Sequence, residues 1–366
     1  MVNAALLLAL SEPLVHEEIE LLALEPDEAI VRLTATAVCI TDVLSGQGHV
    51  AAHPPALLGH AGAGVVEEVG ASVRRVSPGD RVVVCGTPEC GVCYWCLRGQ
   101  PAMCAELFAG MFPTRHVARR ANGDLVAADG GIGTFAERLK LREVGLVAVD
   151  TELPDEHLCL LGCGAMSGLG AVLNIARVEP GSSAAVVGCG HLGLWMIQAA
   201  RVAAAAQIVA VEHRPDRRLL AGELGATHVV DPAAGDPVEQ VRELTEGRGA
   251  DYVFEAAGPP QAMQEAFAMT RPAGTFVPAG WSTLSATVTL PAVDFAIGAR
   301  RILSCQYGGA TIRRDIPRFA RMMQEKVVDA TPIVSRVFAL EDINEAFRAA
   351  DAREVLTGVV VPTAGR

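Results

Sequence analysis

The chain carries no surplus of positive charge. Its formal net charge is −12 and its pI is near 5.3. A nucleic-acid backbone or an anionic membrane surface is therefore not an expected partner. Basic residues fall in scattered pairs such as Arg119-Arg120 and Arg313-Arg314, which read as solvated faces. No apolar run approaches the length of a membrane span. The opening MVNAALLLAL has no basic residue ahead of its seven-residue apolar run, so it reads as an edge strand rather than an export signal. Internal repeats and low-complexity segments are missing too. Without an export signal, the ten cysteines point to a reducing, cytoplasmic setting. There, metal binding or catalysis outranks disulfides.

What is present suffices for two cores: 366 residues, 51% of them apolar. Residues 1–164 read as a strand-rich lobe. Glu28–Val38 alternates apolar and polar residues, as a half-buried strand does. Gly64–Val69 and Arg81–Cys85 are β-branched runs on either side of a Ser77-Pro78-Gly79-Asp80 turn. Residues 105–133 show no clear period and read as an excursion over the surface. From 165 to 305, strand and helix patterns alternate, which predicts a doubly wound parallel sheet. Residues 306–366 hold two helix patterns and a closing strand, Val355–Val361, expected to return to the first lobe.

Between Gly86 and Cys104 stand Cys90, Cys93, Cys96 and Cys104, spaced C-x2-C-x2-C-x7-C. Four thiolates at that spacing suit a closed tetrahedral structural zinc. A disulfide cluster and an iron–sulfur cluster are the alternatives.

Gly188, Gly190 and Gly193 form G-x-G-x-x-G around Cys189, His191 and Leu192. The motif follows a valine-rich strand, opens a helix, and has an acid, Glu212, nineteen residues further on. The first glycine permits a tight turn and the second lets backbone approach a pyrophosphate. The third lets helix pack on strand, and the helix N-terminus favours the phosphates. Glu212 would bind the adenosine ribose hydroxyls and repel a 2′-phosphate, favouring NAD over NADP. His213 and Arg214 beside it pull the other way.

Cys39, His60 and Cys163 are the remaining metal candidates. Singly, each has a plainer reading: a buried thiol is a small core hydrophobe, and a lone histidine a satisfied polar residue. Together with the preceding motifs, in order, they resemble the zinc-dependent medium-chain alcohol dehydrogenases. The likeness rests on C-x-T-D at 39–42, GH-x-GAG-VVEEVG at 59–70, V-x-PGDRV at 76–82, the four-cysteine loop, LGCG at 161–164 and GCGHLG at 188–193. It implies a Rossmann domain inserted in a GroES-like, mostly-β catalytic domain. It also implies two zincs per chain and NAD. Cys39, His60 and Cys163 would hold the catalytic zinc, Thr41 would pass the alcohol's proton outward, and Asp42 would orient His60. Ser167 and Leu192 would pack near the nicotinamide. The family forms homodimers or homotetramers through the edge strand of the nucleotide lobe, here expected at Arg301–Tyr307.

The chain departs from that pattern at several positions. Ala61 stands where relatives carry Glu after the zinc-binding histidine, and Ile40 where many carry a base that contacts the pyrophosphate. The closing VLTGVVV lacks an arginine many relatives have. Losing a charge-assisted contact costs about 1.5–3 kcal/mol, which predicts weak NAD binding unless Arg313 or Arg314 substitutes. Leu44 replaces a proton-relaying residue, leaving Ser45 or His49 as the relay's end. Gly86 in place of a phenylalanine widens the pocket for a bulky or aromatic alcohol, with Phe135, Trp281 and His116 as candidate lining.

Three readings follow from these observations. The first interconverts an alcohol with its aldehyde or ketone, using NAD. The second oxidises a thiol–formaldehyde adduct, or works with a permanently bound cofactor. The third is a non-catalytic nucleotide-binding relative.

Overall fold

The computed structural model describes residues 1–107, 114–128, 132–283 and 285–362. They divide into two compact units. The first comprises Met1–Met166, Thr311–Lys326 and Ala330–Arg366, and the second Ser167–Ala310 with Val327–Asp329.

The first unit holds a closed barrel and a larger sheet. The barrel runs in the order Val2–Leu7, Val15–Leu21, Arg115–Arg119, Leu125–Ala128, Ala56–Leu57. Its alternate residues Val2, Ala4, Leu6, Ile19, Val117 and Val126 fill one core. Two expectations are corrected here. Val2–Leu7 is not an edge strand, because it pairs with Val15–Leu21 on one side and Ala56–Leu57 on the other. The 105–133 stretch is not a surface excursion throughout, because it supplies two antiparallel barrel strands. Its residues 108–113 and 129–131 lie outside the described residues.

The larger sheet is ordered Leu146–Ala148, Arg81–Val84, Gly62–Val69, Glu28–Val38, Thr357–Val361, Val334–Ala339, with Arg138–Arg142 also on Glu28–Val38. Glu28–Val38 has strand neighbours along both edges and is more deeply buried than its alternation suggests. The closing strand runs antiparallel to it, Val359 facing Ala37, so the C-terminal segment does return to the first unit. The Ser77–Asp80 turn forms, with Gly79 at a φ of 93° that only glycine adopts without strain.

The second unit is a six-stranded parallel sheet in the order His228–Val230, Gln207–Val211, Ser183–Val187, Ala250–Glu255, Thr270–Pro278, Arg301–Ile302. Strand order reverses direction beside Ser183–Val187, where doubly wound sheets bind dinucleotides. The outermost strand is shorter than expected: Tyr307–Gly309 is a 3-10 turn instead, with Tyr307 at a φ of 42°. Residues 327–329, read in sequence as part of the returning segment, join this unit. The buried Gln198 amide explains it, donating to the Asp329 carbonyl at 3.0 Å and accepting from its N–H at 2.6 Å. No single described helix is long and apolar enough to cross a membrane.

Candidate active site

Three side chains distant in sequence converge in the first unit. Pairing of Glu28–Val38 with Gly62–Val69 sets Thr36 opposite Gly62 and bonds the Ala37 N–H to the Ala61 carbonyl at 3.0 Å. Cys39, just past the end of one strand, and His60, just ahead of the start of the other, are thereby neighbours. Gly162 brings the third. A Cβ there would come within 2.5 Å of the Val84 carbonyl and 2.8 Å of Ala61 Cα, so only glycine lets the Cys163 segment seat beside His60. The ligand atoms of Cys39, His60 and Cys163 lie within 4.8 Å of one another.

Asp42 fixes this arrangement. Fully buried, it accepts the Cys39 backbone N–H at 2.9 Å through Oδ2 and holds His60 Nδ1 at 2.8 Å through Oδ1. An imidazole committed at Nδ1 coordinates through Nε2. Burial pushes the Asp42 carboxyl up, against the pull of His60. The Cys39 thiol is held well below its ordinary range, first by a hydrogen bond from Cys163, then by His60 and the Thr41 hydroxyl. Two thiolates and one neutral imidazole match a three-ligand zinc with an open fourth position. The donor set fits that ion.

The second cysteine cluster is also assembled. Cys90, Cys93, Cys96 and Cys104 bring their sulfurs within 4.8 Å of one another, and all ten cysteines are free thiols. The N–H groups of Val92 and Cys93 point at Cys90 Sγ, at 3.4 and 3.3 Å, and the Cys90 N–H at Cys104 Sγ, at 3.5 Å. Against the cost of burial, hydrogen bonds from the Ala105 and Cys96 backbone hold the Cys93 thiol down to about 6. Four inward sulfurs met by backbone donors fit a structural zinc.

In the second unit the glycine turn follows Ser183–Val187 as the sequence implied. Gly188 has a φ of 88°, and a Cβ on Gly193 would come within 1.9 Å of the Gly188 carbonyl oxygen. Gly190 caps the helix His191–Val202, whose first residues are His191 and Leu192. Glu212, 8% exposed, accepts the Cys189 N–H at 2.8 Å and the Arg214 N–H at 2.9 Å. Ser167 lies in the helix Gly164–Gly170, its carbonyl accepting from the Cys305 thiol at 3.8 Å. Arg217 escaped the sequence reading. Its Nη1 lies 3.7 Å from where a Cβ on Gly190 would stand, which puts a cation over the phosphate turn. Its spacing of five residues from Glu212 was the available signal.

Other expectations resolve differently. Arg313 and Arg314 are engaged within the first unit, on Glu89 and Asp315, each at 2.8 Å or less. Phe135 is fully buried in a core with Leu58 and Ile343, and His116 is exposed on a barrel strand. Gly86 is buried, and its N–H donates to the Gly162 carbonyl at 3.0 Å, one residue before Cys163.

Comparison with known proteins agrees with this geometry. The family described as "Alcohol dehydrogenase GroES-like domain" matches residues 25–151, and "Zinc-binding dehydrogenase" matches 192–325. An S-(hydroxymethyl)glutathione dehydrogenase of Synechocystis sp. is 35% identical over 353 residues, covering 94% of this chain and 95% of that protein. An alcohol dehydrogenase zinc-binding domain protein from Burkholderia ambifaria is 32% identical with a TM-score of 0.93, covering 99% of both chains. Benzyl alcohol dehydrogenase from Acinetobacter calcoaceticus is 29% identical with a TM-score of 0.92, again covering 99% of both. The chain belongs to the zinc-dependent alcohol dehydrogenases of the medium-chain dehydrogenase/reductase family. It is an oxidoreductase, with a GroES-like domain and a Rossmann domain for the dinucleotide.

Proposed function

We propose that the protein interconverts a bulky or aromatic alcohol and its carbonyl product with NAD. The convergence of Cys39, His60 and Cys163, with His60 oriented by Asp42, carries the reading. When bound there, zinc would act as a Lewis acid toward the alcohol oxygen and lower its pKa. The protein's own groups do the rest. Asp42 keeps the His60 proton on Nδ1, and Thr41 takes the substrate's hydroxyl proton toward Ser45 or His49. The glycine turn seats the cofactor phosphates on backbone N–H groups, Glu212 engages the ribose, and Ser167 and Leu192 flank the nicotinamide. Gly86, beside the Cys163 segment, leaves room for an aromatic ring, and the likeness to benzyl alcohol dehydrogenase supports that choice.

A second reading is oxidation of a thiol–formaldehyde adduct. The curated relatives at 34–35% identity favour it. A panel of aryl, allylic and aliphatic alcohols together with S-(hydroxymethyl)glutathione, followed at the NADH absorbance, separates the two. Turnover confined to the glutathione adduct defeats the first reading. Metal analysis tests both against a non-catalytic relative, since an enzyme retains two zincs per chain. We also expect a homo-oligomer. Val293, Phe295 and Ile297 are exposed in the segment that leads into the outermost strand of the sheet, Arg301–Ile302, where Ile302 is exposed too. Light scattering on the protein and on Phe295→Asp measures it.

A further inference from the structure

Glu212 does not act alone at the end of its strand. Three arginines, Arg214, Arg217 and Arg218, follow within six residues. An arginine near this acid is what accommodates a 2′-phosphate in NADP-dependent sheets of this kind. Arg218 is committed to structure. Its Nη1 donates to the carbonyls of Glu212 and His213, each at 2.7 Å, and its Nη2 pairs with Asp231 at 2.8 Å. Arg217 lies over the glycine turn, on the pyrophosphate side.

Arg214 is different. Its backbone N–H donates to Glu212 Oε1 at 2.9 Å, so its side chain departs from the acid itself. Its guanidinium is drawn onto Asp216, with Nε 3.1 Å from Oδ1 and Nη2 2.8 Å from Oδ2. Asp216 stands in the first turn of the helix Pro215–Glu223, where the helix dipole favours an acid. The two side chains are 44% and 64% exposed, so solvent limits the strength of the pair.

Building on the NAD reading above, we propose that Asp216 is a specificity-determining residue that withholds Arg214 from a phosphate on the adenosine ribose. Two acids then favour NAD by different means. Glu212 occupies the ribose edge and repels a 2′-phosphate. Asp216 keeps the Arg214 guanidinium in a two-pronged pair. An exposed pair of this kind shifts an equilibrium by at most about five-fold, which bounds the effect.

Calorimetric titration of NAD and NADP into the wild type, Asp216→Asn, Arg214→Ala and the double variant tests this without relying on turnover. The ratio of NADP to NAD dissociation constants is expected to fall in Asp216→Asn, by up to about five-fold. It returns to the wild-type value or above once Arg214 is also removed, the signature of coupling between the two residues. A ratio that stays put in Asp216→Asn overturns the proposal. So does a fall that persists in the double variant, since that assigns the effect to the Asp216 charge alone. Failure of NAD to bind the wild type defeats the cofactor reading and the latch together, whereas NAD binding with an unmoved ratio defeats only the latch.

Discussion

Asp42 and His60 are joined at 2.8 Å between Oδ1 and Nδ1, and the same carboxylate caps the backbone of Cys39 at 2.9 Å. One buried acid therefore sets the orientation of one residue of the Cys39, His60 and Cys163 cluster and the backbone position of another. Asp42→Asn keeps the shape but replaces the anion with an amide that must present a donor to one of its two partners. Such changes behind a metal ligand typically cost 10- to 100-fold in metal affinity or activity, by order of magnitude about 1.4–2.8 kcal/mol. Zinc release to a chromogenic chelator, timed against the wild type, measures it. Equal release rates would show that His60 does not depend on Asp42.

Gly86 sits beside the Cys163 segment through its N–H bond to Gly162. Gly86→Phe fills the space proposed for an aromatic ring. KM for benzyl-type alcohols is expected to rise by about 10- to 200-fold, the range for pocket volume changes, while small allylic alcohols are spared. Steady-state kinetics over both classes decide it. A uniform loss across the panel would place Gly86 outside the pocket.

Arg313 spans from the helix Ile312–Gln324 to the four-cysteine loop. Its Nε and Nη2 meet Glu89 Oε1 at 3.1 and 2.7 Å, and Arg75 donates to the Glu89 and Cys90 carbonyls. Glu89 is only 6% exposed, so Arg313→Ala leaves a buried carboxylate without its cation. The expected cost is about 1–3 kcal/mol, tempered because Arg313 itself is half exposed. Denaturant unfolding should show it, with faster loss of the structural zinc. Phosphate binding was the other role open to Arg313. Normal stability accompanied by weaker NAD affinity would restore that role.

The parts of the site built from neighbours in the chain were legible in the sequence. The four-cysteine loop and the Gly188–Gly193 turn each close over a few residues, so spacing and local context sufficed to mark them as a metal candidate and a phosphate turn. Cys39, His60 and Cys163 were legible only through family resemblance. Their meeting depends on the Thr36–Gly62 register and on the contact between Gly162 and Ala61, neither of which any local pattern announces. The barrel escaped for the same reason. Val2–Leu7 reads as an edge until the two-residue strand Ala56–Leu57 closes the ring, and no periodicity can reveal a strand that short. Arg115–Arg119 carries three basic residues in five, which masks its buried Val117 and Ala118.

Glu255 ends the strand Ala250–Glu255 with no exposed surface. Its Oε1 accepts from the N–H groups of Ala257 and Gly258 at 2.7 and 2.6 Å. Burial outweighs those donors and pushes the carboxyl above its usual range. A carboxyl raised on folding favours the fold while it is neutral. That contribution is complete below the unfolded value, about 4.3, and is lost as pH rises through the higher folded value. Glu255→Gln is neutral throughout and keeps an oxygen for the same two donors. Its stability relative to the wild type is therefore expected to improve between about pH 4 and about pH 8. Urea midpoints at the two ends measure the change, and a constant difference would count against a raised Glu255.

Ala61 follows His60 with 1% of its surface exposed, where relatives carry a glutamate. Its Cα lies 2.8 Å from the place a Gly162 Cβ would take, and its carbonyl accepts from Ala37 at 3.0 Å and from Thr36 Oγ1 at 2.9 Å. The backbone around it is closed on three sides. Ala61→Glu must fit four more heavy atoms and a charge into that space. Overpacking alone costs about 1–3 kcal/mol. The carboxylate would also stand near Cys39 and Cys163, lowering the net charge of a bound zinc site and its power to acidify an alcohol. Ala61→Gln separates the two effects, because it brings the bulk without the charge. Both variants are expected to lose stability in urea, and only Ala61→Glu to shift the pH dependence of kcat upward. If Gln shifts it equally, the added charge is not what tunes the site; if neither variant is destabilised, the pocket behind His60 still has room for the family's glutamate.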